Sequence, residues 1–386
     1  MRDNDAVNPA IHSLFLENNE FYLRGILNSR RTGIVFRTSP RCRKLYKKYL
    51  DTESQSVEER NLACSSALNA FEHSIFSKLF FLKKCIADDI RFRHAFSKGR
   101  MEIDHSDKHH KDYYSIVVMI KNETRYIREF ILFYQATGAD RIYIYDNDSD
   151  DGLLETIDPF VRSGFVVYRR WPGRWPKKSL QTSAYRHAVR KARKRTTWLA
   201  IIDADEFLFS PKGKMPDQLK AYESYPGIGV NWITFGPNGH DRRPEGLIMD
   251  NYTTAIEYGN TINHHIKSIV QPKKVLSVYH THFPIYRKNA FAVDETCRFI
   301  DNYSSYISRA GRAFTEENHK DIFRINHYVT KSLEDLEIKC ARGYADGVDN
   351  AVFEEQLRMF EAPLVSDYEI KPYADIVRTR INKEQE

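Results

Sequence analysis

Two aspartates that stand two residues apart are the clearest candidates for chemistry in this sequence. Asp203 and Asp205 directly follow the apolar run Trp198–Ile202, which is typical of a buried strand. In extended backbone these two side chains point the same way, so their carboxylates repel unless a cation lies between them. Carboxylate oxygens suit Mn²⁺ or Mg²⁺, and such an ion could stabilise a departing diphosphate. The alternative is that Asp-x-Asp only forms the turn that closes the strand.

A second acidic segment follows another predicted strand. Arg141–Tyr145 leads into DNDSDDG, residues 146–152. This segment has the composition of an EF-hand loop, but Asp151 stands where that loop requires glycine, so we do not expect calcium. Asp146 is nearest to the strand end and is a candidate for contact with a nucleobase or ribose. An Asx-rich turn is the alternative.

The elements that would position these residues alternate between strand and helix from residue 113 onward. The predicted strands are Ser115–Ile120, Arg141–Tyr145, Gly164–Tyr168 and Trp198–Ile202, and the predicted helices are Glu123–Thr137, Leu153–Val161 and Leu180–Arg195. Alternation with short links predicts an α/β fold with a mostly parallel sheet flanked by helices. Ligands of such sheets lie beyond the carboxyl ends of the strands. Residues 121–123, 146–152 and 203–206 are therefore expected to meet.

Three regions are predicted along the chain. Residues 1–110 form a basic, mainly helical N-terminal region, residues 111–345 the α/β domain, and residues 346–386 a C-terminal helical region. The closing helices are expected at Lys331–Arg342, Phe353–Phe360 and Asp367–Arg378. Within the N-terminal region, Phe21–Leu50 holds nine Lys or Arg residues and no Asp or Glu. With its Tyr, Leu and Phe residues, this stretch is a candidate for contact with an anionic membrane surface.

Composition excludes several classes of protein. The 386 residues are 41% hydrophobic, too many for wholesale disorder, yet no apolar stretch approaches the ~18 residues of a spanning helix. The N-terminus lacks the apolar core of a signal peptide, and the five cysteines are scattered without a CxxC pair. We therefore expect a cytoplasmic protein with reduced thiols, peripheral at the inner face of the membrane. The net charge of +7 favours anionic partners without choosing among them.

Several ordered motifs together resemble the GT-A glycosyltransferases, and most of all the glycosyltransferase family 92 and family 2-like group. The resemblance rests on SIVVMIKNETRYIREFILFYQATGADRIYIYDNDSDDG, on SLQTSAYRHAVRKARKRTTWLAIIDADEFLF, and on the later IKSIVQP, YHTHFP and INHYVTKSLEDLEIKCARG. It implies a GT-A (Rossmann-like) fold and a metal-dependent, inverting transfer of a hexose such as galactose from a UDP-linked donor. The expected acceptor is a saccharide or a lipid-linked glycan. The sequence shows no N-terminal anchor of the kind that Golgi relatives carry. Glycosylation sequons lie at the predicted site, where an attached glycan would block it. We therefore expect a bacterial enzyme of surface polysaccharide synthesis.

The resemblance also implies a role for individual residues. Those expected near the nucleotide sugar are Lys121, Asn122, Glu123, Asp146, Lys178, Gln181 and Asp203, with Lys178 and Gln181 at the diphosphate. Those expected around Mn²⁺ or Mg²⁺ are Asp203, Asp205 and a late histidine, His280 or His282. A neutral imidazole is a sound ligand for Mn²⁺, although the two histidines could equally be a pair in a polar loop.

An inverting transfer is a single displacement at the anomeric carbon, and it needs a base to remove the proton of the acceptor hydroxyl. That base should come from the acceptor side, after DADE. The candidates are Asp241, Glu245 and Glu257, and we choose Asp241 because it follows the Gly-rich turn FGPNGH. Trp232 and Phe235 could form an acceptor platform or could be core.

Two other classes remain open. A phosphoryl-transfer hydrolase can begin catalysis at a strand-end Asp-x-Asp, but such enzymes usually have Thr or Val where this chain has Glu206. A non-catalytic nucleic-acid-binding protein would fit the charge and the aromatic content. The sequence contains no zinc pattern, helix-turn-helix or RNP-like motif, so we expect no nucleic-acid partner.

Overall fold

The computed structural model describes residues 110–173, 177–278, 280–287, 292–298, 300, 314–315, 317–342 and 357–383. These residues belong to one compact unit of the chain. The predicted region 1–110, apart from its last residue, lies outside the described residues, and so do the basic stretch Phe21–Leu50 and the first half of the predicted helix Phe353–Phe360. The predicted division into three regions therefore stays a prediction.

The strands of the described part are numbered in chain order. They are β1 Asp112–Ile120, β2 Arg141–Asp146, β3 Val166–Arg170, β4 Thr196–Ile202, β5 Glu206–Phe209, β6 Gly227–Thr234, β7 Thr254–Ile256, β8 Ile266–Val270, β9 Val275–Val278, β10 Pro284–Tyr286, β11 Arg324–His327 and β12 Leu364–Ser366. Eight of them form one sheet in the order β3-β2-β1-β4-β8-β6-β11-β5, and β9 pairs with β10 and β7 with β12 in two small sheets.

The helices alternate with the first strands. They are α1 Thr124–Ala136, α2 Leu153–Arg162, α3 Lys177–Ala192, α4 Met215–Leu219, α5 Ile248–Asn251, α6 Leu333–Arg342 and α7 Lys371–Lys383. Short 3₁₀ turns cover Lys220–Tyr222, Thr261–His264 and Met359–Glu361. None of the described helices is long and apolar enough to cross a membrane.

The sheet confirms the predicted α/β class. Strands β3, β2, β1 and β4 run parallel, which the βα alternation predicted. Beyond β4 the sheet is mixed, because β8 runs antiparallel to both β4 and β6, and β11 runs parallel to β6 but antiparallel to β5. The carboxyl ends of β1, β2 and β4 lie at one edge, which places residues 121–123, 146–152 and 203–206 on the same side of the sheet.

Each face of the sheet is covered by one long helix. On one face α1 buries Ile127, Phe130 and Phe133 in the larger core. On the other face α3 buries a row of alanines, Ala184, Ala188 and Ala192, in the second core. Because alanine adds little bulk, α3 can approach the strands closely, and this fixes the position of its first turns near the end of β4.

Gly138 follows the end of α1. This residue has φ +91°, a left-handed conformation that L side chains rarely adopt. A Cβ added there would also lie 3.1 Å from Cδ of Pro216. Glycine is therefore required both for the turn and for the close approach of the chain that leads into α4.

The C-terminal segment packs on the same core. Strand β12 pairs with β7, and Tyr373 of α7 donates its hydroxyl to the carbonyls of Ser210 (3.0 Å) and Gly213 (2.8 Å). The predicted helix Asp367–Arg378 begins later, at Lys371, because Asp367 is buried in an ion pair with Arg324 of β11. The segment thus completes the fold of the domain around the site.

Candidate active site

The loops that follow β1 and β2 are joined by hydrogen bonds. The amide of Asn122, a residue with left-handed φ of 54°, donates to Oγ of Ser149 at 2.9 Å. The side-chain oxygen of Asn122 accepts from the amide of Asp150 at 3.1 Å, and the amide of Thr124 donates to Asp151 at 2.9 Å. The structure therefore brings the first two predicted strand ends together.

Asp146 holds the second of these loops. One carboxylate oxygen accepts from the amide (2.9 Å) and the hydroxyl (2.6 Å) of Ser149, and the other accepts from the hydroxyl of Tyr168 at 2.7 Å. The residue is only 4% exposed. The geometry matches the Asx-turn alternative, and its contact with a nucleobase stays a prediction.

Asp203 is held by three side chains from two elements. Gln181 and Tyr185 of α3 donate to its Oδ1 at 2.6 and 2.9 Å. The ammonium of Lys267, on β8, lies 2.5 Å from its Oδ2. A carboxylate offers about four lone-pair sites, so one remains for a ligand. The predicted neighbours Gln181 and Asp203 are thus in contact, through a hydrogen bond between their side chains.

Lys267 also faces Glu206, the residue that directly follows Asp205. Its ammonium is 3.6 Å from Oε1 of Glu206, and the other oxygen of Glu206 accepts from the amide of Asp203 at 2.7 Å. Burial raises the pKa of Glu206 above its usual range and outweighs the nearby ammonium. Burial lowers the pKa of Lys267, but the carboxylates of Asp203 and Glu206 outweigh it and raise the pKa. These contacts fix the backbone of the acid pair.

Asp205 pairs with a different lysine. The ammonium of Lys339, on α6, lies 2.7 Å from Oδ2, and Nε2 of His327, on β11, lies 3.7 Å from Oδ1. Burial alone would raise the pKa of the Asp205 carboxyl, but Lys339 and His327 hold it well below its usual range. Burial lowers the pKa of His327 to about 4. At neutral pH the site therefore holds an ionised carboxylate beside a neutral imidazole.

The predicted histidines lie next to each other, and one of them contacts Trp232. The imidazole of His282 is 5.1 Å from the Trp232 ring, and its Nδ1 pairs with the carbonyl of Ile266 at 2.9 Å. His280 packs on His282 at 5.0 Å between ring centres. The histidine in contact with an aspartate of the pair is His327, whose ring lies 4.2 Å from Trp232. His280 and His282 stay predictions as metal ligands.

The expected metal site depends on the side chains that could hold an ion. Among them, no group of three or more His, Cys, Asp or Glu side chains is arranged to hold an ion. Each aspartate of the pair instead has an ammonium on one oxygen, Lys267 on Asp203 and Lys339 on Asp205. Two ammonium groups thus lie next to the carboxylates where we expected a divalent ion, and the ion stays a prediction.

The candidate bases lie in the segments after β6. Asp241 is exposed, and its carbonyl accepts from the amide of Glu334 at 3.0 Å, which ties its loop to α6. Glu245 is 96% exposed and lies 3.4 Å from Arg125, and Glu257 is exposed next to β7. The described contacts join none of the three carboxylates to Asp203 or Asp205. Asp241 stays the predicted base.

The remaining predicted residues have simpler positions. Lys121 and Glu123 are half-buried after β1, and the carbonyl of Glu123 accepts the first amides of α1. The side chain of Lys178 lies outside the described residues, although its backbone belongs to α3. Phe235 is fully buried in the larger core, whereas Trp232 is half-buried. Phe235 is therefore core, and the platform prediction remains for Trp232 alone.

Residues to which the sequence analysis assigned no role complete the site. They are Tyr185, Lys267, His327 and Lys339, and their contacts with the aspartates are described above. All four lie within the motifs SLQTSAY, IKSIVQP and INHYVTKSLEDLEIKCARG that carried the family resemblance. That resemblance marked the segments, but it did not indicate which charged residue would reach which aspartate.

An acid pair at the carboxyl edge of the parallel half of a mixed sheet, approached by the first turns of α3, is the arrangement expected of a GT-A glycosyltransferase. The sequence profile of glycosyltransferase family 92 matches residues 116–342, more than half of the 386-residue chain. The chain belongs to glycosyltransferase family 92. This confirms the predicted class of enzyme, and it separates the chain from the hydrolase and nucleic-acid-binding alternatives.

Relatives of the chain include plant proteins of the same family. A glycosyltransferase family 92 protein of Oryza sativa subsp. japonica is 32% identical over 161 residues, which cover 41% of this chain and 26% of that protein. One of Ricinus communis is 27% identical over 234 residues, which cover 56% of this chain and 38% of that protein. The chain therefore spans well under half the length of these relatives.

Solved structures of a glycosyltransferase overlap in part with this fold. Residues 1–349 of S. aureus TarS in complex with UDP match with a TM-score of 0.29 and 13% identity, over 42% of this chain and 47% of that one. S. aureus TarS matches with a TM-score of 0.30 and 10% identity, over 64% and 43%. Because both scores are low, the fold assignment rests on the family match and the sheet.

Proposed function

We propose that this chain transfers a hexose from a nucleotide sugar to a hydroxyl of a saccharide acceptor. The observation that carries the proposal is the family 92 domain at residues 116–342, which contains the acid pair at the carboxyl edge of its sheet. The whole protein's activity, donor and acceptor are proposals, because the chain covers only part of its relatives.

The contacts of the acid pair support distinct roles for the two aspartates. Asp203 keeps about one lone-pair site after its three side-chain contacts, which suits a single hydrogen bond from a ribose hydroxyl. Asp205 lies beside Lys339, whose ammonium could orient a diphosphate oxygen of the donor. The residue that deprotonates the acceptor is, on this proposal, Asp241.

The finer assignments follow from the family resemblance and are part of the proposal. The donor is a UDP-linked hexose such as UDP-galactose, the transfer inverts the anomeric centre, and the product is a polysaccharide or a lipid-linked glycan. Mn²⁺ or Mg²⁺ would bind at the acid pair, where it would replace or join the ammonium partner of each aspartate. The relatives above are plant proteins, so a bacterial role is a proposal as well.

A screen of UDP- and GDP-sugars tests the donor. One donor is expected to raise the melting temperature of the chain, since ligands that bind the native state stabilise it, and to be hydrolysed or transferred. Parallel reactions with Mn²⁺, with Mg²⁺ and with EDTA measure metal dependence. Inversion is read by NMR of the anomeric proton in the first product formed.

Two matched variants link turnover to the acid pair. Asp205→Asn is expected to lose at least a hundredfold in turnover while remaining folded. Asp217→Asn is the control, because Asp217 is an exposed carboxylate (61%) that pairs with Lys220. Normal turnover by the Asp205 variant, or the absence of any nucleotide-sugar effect on melting, would contradict the proposal.

A further inference from the structure

One surface of the domain carries positive side chains from two neighbouring segments. Residues 186–195, at the end of α3 and just beyond it, contain six Lys or Arg and no Asp or Glu. Residues 271–289, which include β9 and β10, contain four Lys or Arg and again no Asp or Glu. Two segments that contain no acidic residues therefore lie next to each other in the fold.

Hydrogen bonds to shared carbonyls hold these segments together. Arg186 donates to the carbonyl of Val278 at 3.1 Å, and Arg193 donates to the carbonyl of Val275 at 3.0 Å. Arg287 donates to the same carbonyl of Val275 at 3.2 Å. Two guanidinium groups from different elements therefore meet at one backbone oxygen.

The charges around these arginines are of one sign. Burial and the charges of Arg287 and Arg190 lower the pKa of Arg193. Burial and the charges of Arg169, Arg190 and Lys191 lower the pKa of His187 on the same helix. His187 packs on Trp171, which directly follows the edge strand β3, so Arg169 at the end of that strand lies near the same helix. Among the described residues, these four arginines have no carboxylate partner. We call Arg169, Arg186, Arg190, Arg193 and Arg287 the basic face.

Exposed aliphatic side chains lie within and beside the basic face. Leu276, next to Val275 on β9, is 54% exposed, and Val167, two residues before Arg169 on β3, is 38% exposed. Exposure of a leucine side chain to water is unfavourable, and the side chain can instead enter the outer part of a lipid layer. Nucleic-acid surfaces instead add exposed aromatic rings for stacking on bases. The nearby Trp171 is half-buried and packs on His187.

We propose that the basic face docks on a membrane surface of anionic phospholipid, with Leu276 entering the interface. The arginines would contact lipid phosphates, which remove the repulsion between neighbouring guanidinium groups, and salt would weaken the contact by screening. An acceptor carried by a lipid would then be held at the same surface as the enzyme. The docking does not depend on the identity of donor or acceptor.

Vesicle co-sedimentation of the full chain tests this proposal. Vesicles of phosphatidylcholine are compared with vesicles that also contain phosphatidylglycerol, at 50 and 300 mM salt. We expect binding to the anionic vesicles only, at least tenfold weaker at the higher salt. The variant Arg190→Glu/Lys191→Glu, which reverses two exposed charges, should weaken binding at least tenfold. Leu276→Ser should weaken it several-fold without changing its salt dependence.

A matched control has the same change in net charge at another surface. Lys212→Glu/Lys383→Glu reverses two exposed lysines away from the basic face and should bind as the unmodified chain does. Circular dichroism melting checks that all variants are folded. Equal binding to neutral vesicles, equal loss in the control, or no loss in the Arg190/Lys191 variant would overturn the proposal. So would tighter binding to RNA than to the anionic vesicles at the same salt.

Discussion

Asp205 and Lys339 form a nearly buried ion pair in the candidate site. Their side chains are 12% and 18% exposed, and the ammonium lies 2.7 Å from the carboxylate. Breaking such a pair by removing one partner leaves the other charge without compensation in a poorly solvated place. The pair joins α6 to the segment that follows β4. It therefore contributes to the stability of the fold as well as to the charge of the site.

A double-mutant cycle on this pair measures that connection. Lys339→Met and Asp205→Asn are each expected to lower the free energy of unfolding by about 3 kcal/mol, the low end for a broken buried pair. The double variant should cost clearly less than the sum, because neither charge then remains alone. Urea denaturation gives all three values. Strict additivity would show that the two side chains do not interact in solution.

At the scale of elements, the sequence predicts the first half of the sheet well and the second half poorly. Strands β1, β2 and β4 lie in buried runs of apolar residues between helical patterns, so both their type and their order follow from the sequence. Strands β5 and β11 have only four residues each, and the pairing of β11 with both β5 and β6 is non-local.

The same limit applies to the site. Asp203 and Asp205 are identified by their place after β4, but Lys267 and Lys339 reach them from 64 and 134 residues away. No local pattern encodes such distances, because they depend on how β8 and α6 pack on the finished sheet. The acids of the site could therefore be predicted, whereas their counter-charges could not.

Glu129 of α1 links two elements through a buried carboxylate. It accepts from the amides of Ile248 (2.8 Å) and Met249 (3.1 Å) at the start of α5, a short helix. Burial raises the pKa of Glu129 to about 8, although these two amides act in the opposite direction. The folded state therefore holds a proton on Glu129 at pH values where the unfolded chain has released it.

The pH dependence of stability tests this protonation. Between the unfolded pKa of roughly 4.3 and the folded pKa of about 8, the folded state binds more protons, so stability due to Glu129 falls as pH rises. The unmodified chain should therefore exceed Glu129→Gln in unfolding free energy by the largest amount near pH 5, and this excess should shrink towards pH 8. Urea melts at several pH values measure it. Glu155→Gln, on the exposed side of α2, is the control. A difference that stays constant with pH would contradict the assignment.

At the scale of the whole described domain, the last elements close the sheet that carries the site. Arg324 and His327 stand on the same four-residue strand β11, one end of which contacts Asp367 while the other contacts Asp205. Arg324 is 1% exposed, and Asp367 also accepts from the hydroxyl of Tyr258 at 3.0 Å. The C-terminal segment thus supplies the counter-charge for a buried cation inside the strand that faces the site.

Asp367→Asn is expected to destabilise the domain and to disturb the site with it. The variant keeps the size of the side chain but leaves the guanidinium of Arg324 buried without its carboxylate, which should cost about 3 kcal/mol or more. Because β11 also carries His327, the stabilisation of the chain by a bound nucleotide sugar should decrease in the same variant. Asp375→Asn, at a carboxylate that is 56% exposed and pairs with Arg378, is the matched control. Chemical denaturation with and without the donor measures both effects. If both variants unfold within about 0.5 kcal/mol of the unmodified chain, a range typical of surface substitutions, the Arg324–Asp367 pair does not support the strand.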